Sequence, residues 1–200
     1  MNRMPHRLFL SLCTFTLGLT ACVTPPRIEG GGQEPATLLN AFVLMARFSL
    51  QFTPADAPID TAPHSLSGQL EWKHLPESDD LLFLDPLGQG VARLQRDAGG
   101  ATLTEANGRA HTADSADSLL ERALGFPLPF DDLIAWSTAR PGPGALVERD
   151  AEGRPYRVRE SGWLLVYRYD GDHPLPSRLD ASLDNRLKLR LVVESWDVQP

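Results

Sequence analysis

Apolar and polar residues alternate cleanly along three segments of the chain. In residues 42–52, Phe42, Leu44, Ala46, Phe48, Leu50 and Phe52 share one face, and Arg47, Ser49 and Gln51 share the other. Residues 66–73 and 186–194 repeat this pattern. A period of two with one polar face predicts β-strands that are covered on one side only.

Weaker patterns predict eight further strands. They lie at 80–84, 89–95, 101–105, 109–113, 145–149, 155–160, 163–169 and 177–183. Asn107-Gly108 and Asp184-Asn185 suit two-residue hairpin turns, which join antiparallel neighbours. The sequence therefore predicts a mainly β protein of about eleven antiparallel strands.

One interruption, at residues 114–140, predicts short helices instead. Asp114 or Ser115 can cap a first helix, which Gly125 ends. An apolar stretch and a second short helix through Trp136 follow. We call residues 114–140 the lid, and its apolar side chains are Leu119, Leu120, Leu124, Phe126, Leu128 and Phe130.

A sheet with one apolar face must bury that face. The strands could close into a barrel, stack in two layers, or curl around the lid. The lid is too small to cover so broad a sheet tightly, so a curled sheet with an apolar space beneath the lid is a sensible arrangement. An ordinary packed core would use the same residues, and the pattern does not separate the two. Either way, residues 36–200 are predicted as a single domain.

The N-terminus has the features of a bacterial export signal. Residues 1–21 begin with Arg3 and Arg7 and continue with an apolar run at 8–19, which is too short to span a bilayer. Leu19-Thr20-Ala21-Cys22 resembles the lipobox of bacterial lipoproteins, in which the cysteine is lipidated. By the same resemblance, Val23 rather than Asp after that cysteine implies sorting to the outer membrane. The alternative is a plain signal peptide with a chance cysteine.

Composition adds three restrictions. Residues 22–35 carry Pro25-Pro26 and a run of three glycines, which predicts a flexible tether behind the lipidated N-terminus. Lipidation of Cys22 and removal of Cys13 with the signal would leave no free thiol for redox or cysteine catalysis. The net charge of −7 argues against nucleic acid as a partner, since phosphate binding needs a basic surface.

A leucine stands at an unusual position in the Asp85-Pro86-Leu87-Gly88 segment. Asp first, Pro second and Gly fourth are favoured in a type I turn, which places Leu87 at the tip. Single exposed leucines are common on proteins. On a lipid-anchored protein, however, such a leucine can enter the bilayer, and its burial is worth about 2 kcal/mol.

The sequence lacks two common catalytic motifs and the usual spacing of metal ligands, so it gives little support for an enzyme or for a metal cofactor. Neither Gly-x-Ser-x-Gly nor His-Glu-x-x-His occurs. His64, His74, His111 and His173 lack the spacing of metal ligands. Two alternatives stay open: a hydrolase with two carboxylates across a cleft, and a structural or assembly lipoprotein of an envelope complex.

Seven short motifs follow one another along the chain. They are Leu19–Cys22, Ala46-Arg47-Phe48-Ser49, Gly68-Gln69-Leu70-Glu71-Trp72, Asp85-Pro86-Leu87-Gly88, Phe126-Pro127-Leu128-Pro129 with Trp136, Gly162-Trp163 with Val166-Tyr167, and Leu187-Lys188-Leu189 with Trp196. Their order and spacing resemble the LolB family of outer-membrane lipoproteins. The resemblance implies an open antiparallel half barrel with a helical lid over a hydrophobic cavity. It also implies a monomer that receives acylated lipoproteins from a LolA-like periplasmic carrier and inserts them into outer-membrane lipid.

The resemblance gives the apolar residues possible roles. Leu87 would deliver cargo into the membrane, supported by Asp85, Pro86 and Gly88. The lid would gate the cavity. The residues expected to contact acyl chains are Phe48, Leu50, Leu70, Trp72, Leu82, Leu84, Trp136, Trp163, Leu165, Leu187 and Leu189.

Overall fold

A computed structural model describes residues 28–30, 39, 41–53, 58, 61–184 and 186–199 of the 200-residue chain. Cys22, the predicted signal and most of the predicted tether lie outside these described residues.

Twelve strands of the described chain form one sheet, and every neighbouring pair is antiparallel. They are β1 (Ile28–Gly30), β2 (Ala41–Phe52), β3 (His64–Leu75), β4 (Ser78–Leu84), β5 (Gly90–Asp97), β6 (Gly100–Glu105), β7 (Ala110–Ala113), β8 (Leu146–Arg149), β9 (Pro155–Glu160), β10 (Trp163–Arg168), β11 (Arg178–Leu183) and β12 (Leu187–Gln199). Their order in the sheet is β1-β8-β9-β10-β11-β12-β2-β3-β4-β5-β6-β7.

The sheet is open, because no pairing within the described residues joins its two end strands, β1 and β7. This confirms the predicted mainly β, open antiparallel fold, and each of the eleven predicted strands corresponds to one of β2–β12. The alternatives of a closed barrel and of two stacked sheets are wrong. Strand β1 lies inside the segment predicted as a tether, and its pairing with β8 was not indicated by the local pattern.

The centre of the sheet consists of its three longest strands, β12, β2 and β3. Leu44 of β2 lies between Trp72 of β3 and Trp196 of β12 in the strand register. The Phe42 ring packs edge-on against both tryptophans, at centroid distances of 5.6 and 5.4 Å. The alternation therefore places the large apolar side chains on one, concave face.

Strand β12 continues five residues beyond the predicted end at residue 194. The register shifts between Val193 and Ser195, which leaves Glu194 as the extra residue of a β-bulge. The bulge changes the phase of the alternation, so the pattern breaks although the pairing with β2 continues to Gln199.

The lid contains two helices, α1 (Ala116–Leu124) and α2 (Phe130–Ser137). Ser115 caps α1 by accepting a hydrogen bond from the Ser118 amide at 3.2 Å, and Gly125 ends the helix with φ of 77°. Helix α1 packs against β6 and β7. No helix in the described residues is both long and apolar enough to cross a membrane.

Candidate functional site

An apolar cavity of about 470 Å³ lies between the concave face of the sheet and the lid. Ser67, Asp85 and Ser137 are its polar lining residues. The apolar lining residues are Phe48, Leu50, Leu66, Leu70, Trp72, Leu81, Phe83, Leu84, Val91, Ala92, Leu94, Leu103, Leu120, Ala123, Leu124, Leu128, Phe130, Leu133, Leu179, Leu189 and Leu191. Such a cavity suits a flexible hydrocarbon group and offers little to a polar ligand.

The structure brings ten of the predicted residues to this cavity. From the sheet they are Phe48, Leu50, Leu70, Trp72, Leu84 and Leu189, and from the lid they are Leu120, Leu124, Leu128 and Phe130. The sheet residues are far apart in sequence. They meet at one cavity because the sheet order places β12 and β2 beside β3 and β4.

Leu82 does not line the cavity, and its predicted position is corrected to the convex face. It pairs with Glu71 on one side and with Arg93 on the other, and both of those residues are exposed. Leu81 and Phe83 line the cavity in its place. The run of four apolar residues at 81–84 has no alternation, so its inward face could not be read from the pattern.

Trp136, Trp163, Leu165 and Leu187 also lie outside the cavity lining, in packed core. The Trp136 and Trp163 rings are 5.1 Å apart, and the Trp136 indole N–H donates to Glu160 at 3.2 Å. The Trp136 side chain of α2 thus packs directly against Trp163 on this side of the sheet.

Two predicted lid residues are not among the lining residues of the cavity. Leu119 is buried in the core, and Phe126 packs against Phe52 at a centroid distance of 4.6 Å. Conversely, Leu94, Leu103 and Leu133 line the cavity although the prediction did not name them. Leu94 and Leu103 stand directly opposite each other on β5 and β6, and their strands carry too few apolar residues for a clear alternation.

A buried polar cluster supports the wall of the cavity. The Asp79 carboxylate is almost fully buried and accepts hydrogen bonds from the Trp72 indole and from His74, each at 2.8 Å. Arg96 donates to its second oxygen, with Nε at 2.8 Å. Burial alone raises the pKa of Asp79, but the His74 and Trp72 hydrogen bonds and the charges of His74 and Arg96 outweigh it and hold this pKa below its usual value.

The same arginine joins the sheet to the lid. Its guanidinium donates to Asp131 at 2.7 Å and lies over the Phe130 ring, 5.3 Å from the centroid. The Phe130 amide donates to Asp117 of α1 at 2.5 Å. The start of α2 is therefore held by both the sheet and α1, which fixes Phe130 and Trp72 as neighbours in the cavity wall.

The Asp85–Gly88 turn projects from the end of β4. Asp85 accepts from the Leu87 and Gln89 amides at 2.8 and 2.9 Å, and its carbonyl accepts from the Gly88 amide at 2.9 Å. Gly88 has φ of 83°, a value that most side chains disfavour. The turn is thus held by these three hydrogen bonds, and it leaves Leu87 at its tip as an 83% exposed residue.

The histidines serve structural contacts where the structure describes them. His111 hydrogen-bonds Glu105 at 2.7 Å, His64 stacks on Phe52, and His173 contacts the Leu175 backbone. Within the described residues, no group of three or more His, Cys, Asp or Glu is placed to hold a metal ion.

Comparisons with known proteins identify the family. A solved LolA superfamily protein from Nitrosomonas europaea has a TM-score of 0.45 and 8% identity, over 82% of this chain and 88% of its own. An outer-membrane lipoprotein LolB of Dechloromonas aromatica is 35% identical over 97% of this chain and all of its own length. The LolB of Thiobacillus denitrificans is 36% identical over 93% of this chain and 94% of its own. The family model for outer membrane lipoprotein LolB matches residues 53–196, so the chain belongs to the LolB family of outer-membrane lipoproteins.

Proposed function

We propose that this protein takes acylated lipoproteins from a LolA-like periplasmic carrier and inserts them into the outer membrane. The observation that carries the proposal is the apolar cavity of about 470 Å³ under a two-helix lid, in a chain of the LolB family. Its volume falls within the range of about 300–1,000 Å³ that is usual for ligand sites. Its lining of leucine and aromatic side chains matches the chemistry of an acyl chain.

Transfer from cavity to cavity is favoured by energetics. Each buried CH₂ group is worth about 0.8 kcal/mol, so exposing one long acyl chain to water costs on the order of 10 kcal/mol. A cavity that receives the chain directly avoids most of this cost. The transfer then needs no ATP, provided that this cavity binds cargo more tightly than the carrier does and the membrane more tightly still.

The proposal includes a membrane anchor at Cys22. Residues 1–21 would be removed as a signal peptide, and acyl chains on Cys22 would hold the mature protein at the membrane through residues 22–35. The single β domain of residues 36–200, together with the paired strand β1, then acts as a monomer facing the periplasm. Family membership and the lipobox-like Leu19–Cys22 segment support this arrangement.

Leu87 is proposed as the residue that meets the bilayer during insertion. Replacement of Leu87 by Glu puts a charge at the turn tip without touching the cavity lining, since Leu87 is not among the lining residues. We expect Leu87→Glu to leave cargo uptake from the carrier nearly unchanged and to lower insertion into vesicles by about tenfold or more, because a leucine is worth about 2 kcal/mol in an apolar phase.

The matched control is Leu146→Glu. Leu146 is a second exposed leucine, 53% accessible, which lies on β8 outside the cavity lining. Cargo uptake and insertion are measured for both variants with radiolabelled lipoprotein and purified carrier. Normal insertion by Leu87→Glu, or equal loss in both variants, would remove Leu87 from the mechanism.

A further inference from the structure

Two exposed apolar residues accompany Leu87 at one end of the sheet. Leu66 of β3 is 46% exposed and Val91 of β5 is 43% exposed, and both also line the cavity. A side chain that belongs to a cavity wall and is also exposed to solvent lies at an opening of that cavity. We call Leu66, Leu87 and Val91 the apolar rim.

The backbone turns the Leu87 hairpin over this opening. Gly68 lies on the cavity face of β3 between Leu66 and Leu70, and a Cβ atom there would stand 2.1 Å from the Leu84 carbonyl oxygen. The end of β4 therefore crosses the concave face closely at Gly68. On the returning strand, Val91 is the extra residue of a β-bulge, since Phe83 pairs with Ala92 and Leu84 with Gly90.

The Asp85 carboxylate at this opening is hydrogen-bonded within its own turn. Asp85 is the one charged residue among the described lining residues, and its Oδ1 accepts from two amides of its own turn. Leu70, Leu66 and Val91 lead from the cavity toward the tip at Leu87, and the uncharged Ser67 is the other polar lining residue on this stretch of β3. An acyl chain can follow this path without displacing a hydrogen bond of the turn.

We propose that the apolar rim is the outlet of the cavity and that it lies against the acyl region of the phospholipid bilayer. This inference rests on the proposed function and names the route that cargo takes. A bilayer is the occupant because the rim continues the apolar cavity surface to the tip at Leu87, and because an outer-membrane lipoprotein is held beside lipid. An acyl chain leaving over Leu66 and Val91 passes from cavity to lipid without crossing water.

The first test locates the rim by photo-crosslinking. The full lipidated protein, reconstituted in vesicles of phosphatidylethanolamine and phosphatidylglycerol, carries benzophenone-alanine at position 66, 87, 91 or 146. We expect lipid adducts from positions 66, 87 and 91 and not from 146, which serves as the control. Adducts confined to position 87, or adducts of positions 66 and 91 with a second copy of this chain in place of lipid, would overturn the inference.

The second test separates the outlet from the function itself. The double variant Leu66→Asn, Val91→Thr keeps the shape of both side chains and makes the rim polar. Both residues line the cavity, so release is measured per molecule of bound cargo. We expect release to vesicles to fall about tenfold in the double variant, with Leu146→Asn releasing normally. If the double variant releases cargo at the normal rate, the outlet is wrong and the proposed function stands. If the unaltered protein neither takes up nor releases cargo, the proposed function itself fails.

Discussion

Asp79 is the residue whose environment departs furthest from the expectation for its type. Its carboxylate is buried on the apolar face of β4, where desolvation is costly unless every lone pair is engaged. Trp72, His74 and Arg96 engage it, and Arg96 extends the contact to the lid. Removing the carboxylate would leave several buried donors without an acceptor.

We therefore predict that Asp79→Ala lowers the free energy of unfolding by about 3 kcal/mol or more. The neighbouring Asp80→Ala is the control, because Asp80 pairs with Arg93 at an exposed site and should cost at most about 1 kcal/mol. Urea unfolding followed by tryptophan fluorescence measures both. Equal losses in the two variants would contradict the role given to Asp79.

The lowered pKa of Asp79 also sets a pH dependence. An aspartate in the unfolded chain has a pKa of about 4. A carboxyl group whose pKa is lower than this in the folded state stabilises the fold fully at any pH above the unfolded value. That contribution is lost as the pH falls through the lower, folded pKa of Asp79. Asp79→Asn should therefore show a shallower decrease of unfolding free energy below about pH 4 than the unaltered protein does. An identical slope would contradict this assignment.

Unlike the Asp79 carboxylate, the buried hydroxyl of Tyr167 has no hydrogen-bond partner among the described residues. Burial, followed by the charges of Tyr169 and Glu160, raises the pKa of Tyr167 well above its usual value. We predict that Tyr167→Phe stabilises the protein by about 1 kcal/mol, because it removes an unpaired polar group. Thermal unfolding checks this. Tyr156→Phe, which loses a hydrogen bond to Glu148, should instead be destabilising.

At the scale of elements, the β3–β4–β5 unit explains how a turn can stand at the mouth of the cavity. Gly68 permits the close approach of the Leu84 carbonyl, and the bulge at Val91 adds a bend on the other strand. Both features belong to the hairpin that carries Leu87. The absence of a side chain at Gly68 therefore contributes to the position of Leu87.

This gives a prediction for Gly68→Ala. The new methyl group would meet a backbone oxygen at 2.1 Å, so β4 must move away, at a cost of about 1–3 kcal/mol. Gly90→Ala is the control, because a Cβ there meets only the end of the Leu82 side chain at 3.8 Å. Hydrogen exchange should accelerate across residues 82–92 in Gly68→Ala alone. Unchanged exchange in that variant would contradict the proposed constraint.

The elements also mark the limit of what the sequence can predict. Strands β2, β3 and β12 alternate clearly because one of their faces meets water, and so their inward residues were predictable. The continuous apolar run at 81–84 lacks that signal, and Leu82 was assigned to the wrong face. The bulge at Glu194 likewise hid the last five residues of β12.

At the scale of the whole molecule, the concave face is divided into two parts. Toward β9 and β10 it is filled by Trp136 and Trp163, which pack against each other beneath α2. Toward β3–β6 the concave face is not filled, and the space between this part of the sheet and the lid is the cavity. The same kinds of apolar residue serve both parts, so the sequence alone could not tell the four misplaced candidates in the packed part from those that line the cavity.

The central claim is that the cavity holds the acyl chains of cargo, and photo-crosslinking from inside it tests this most directly. Benzophenone-alanine replaces Phe48, an aromatic lining residue of β2, or Gln51, which is exposed on the opposite face of the same strand. During transfer from the carrier, position 48 should crosslink to acylated cargo and not to the same cargo without its acyl chains, while position 51 should crosslink to neither. The account would be contradicted if position 48 gave no crosslink to cargo during productive transfer, or if it crosslinked acylated and unacylated cargo equally.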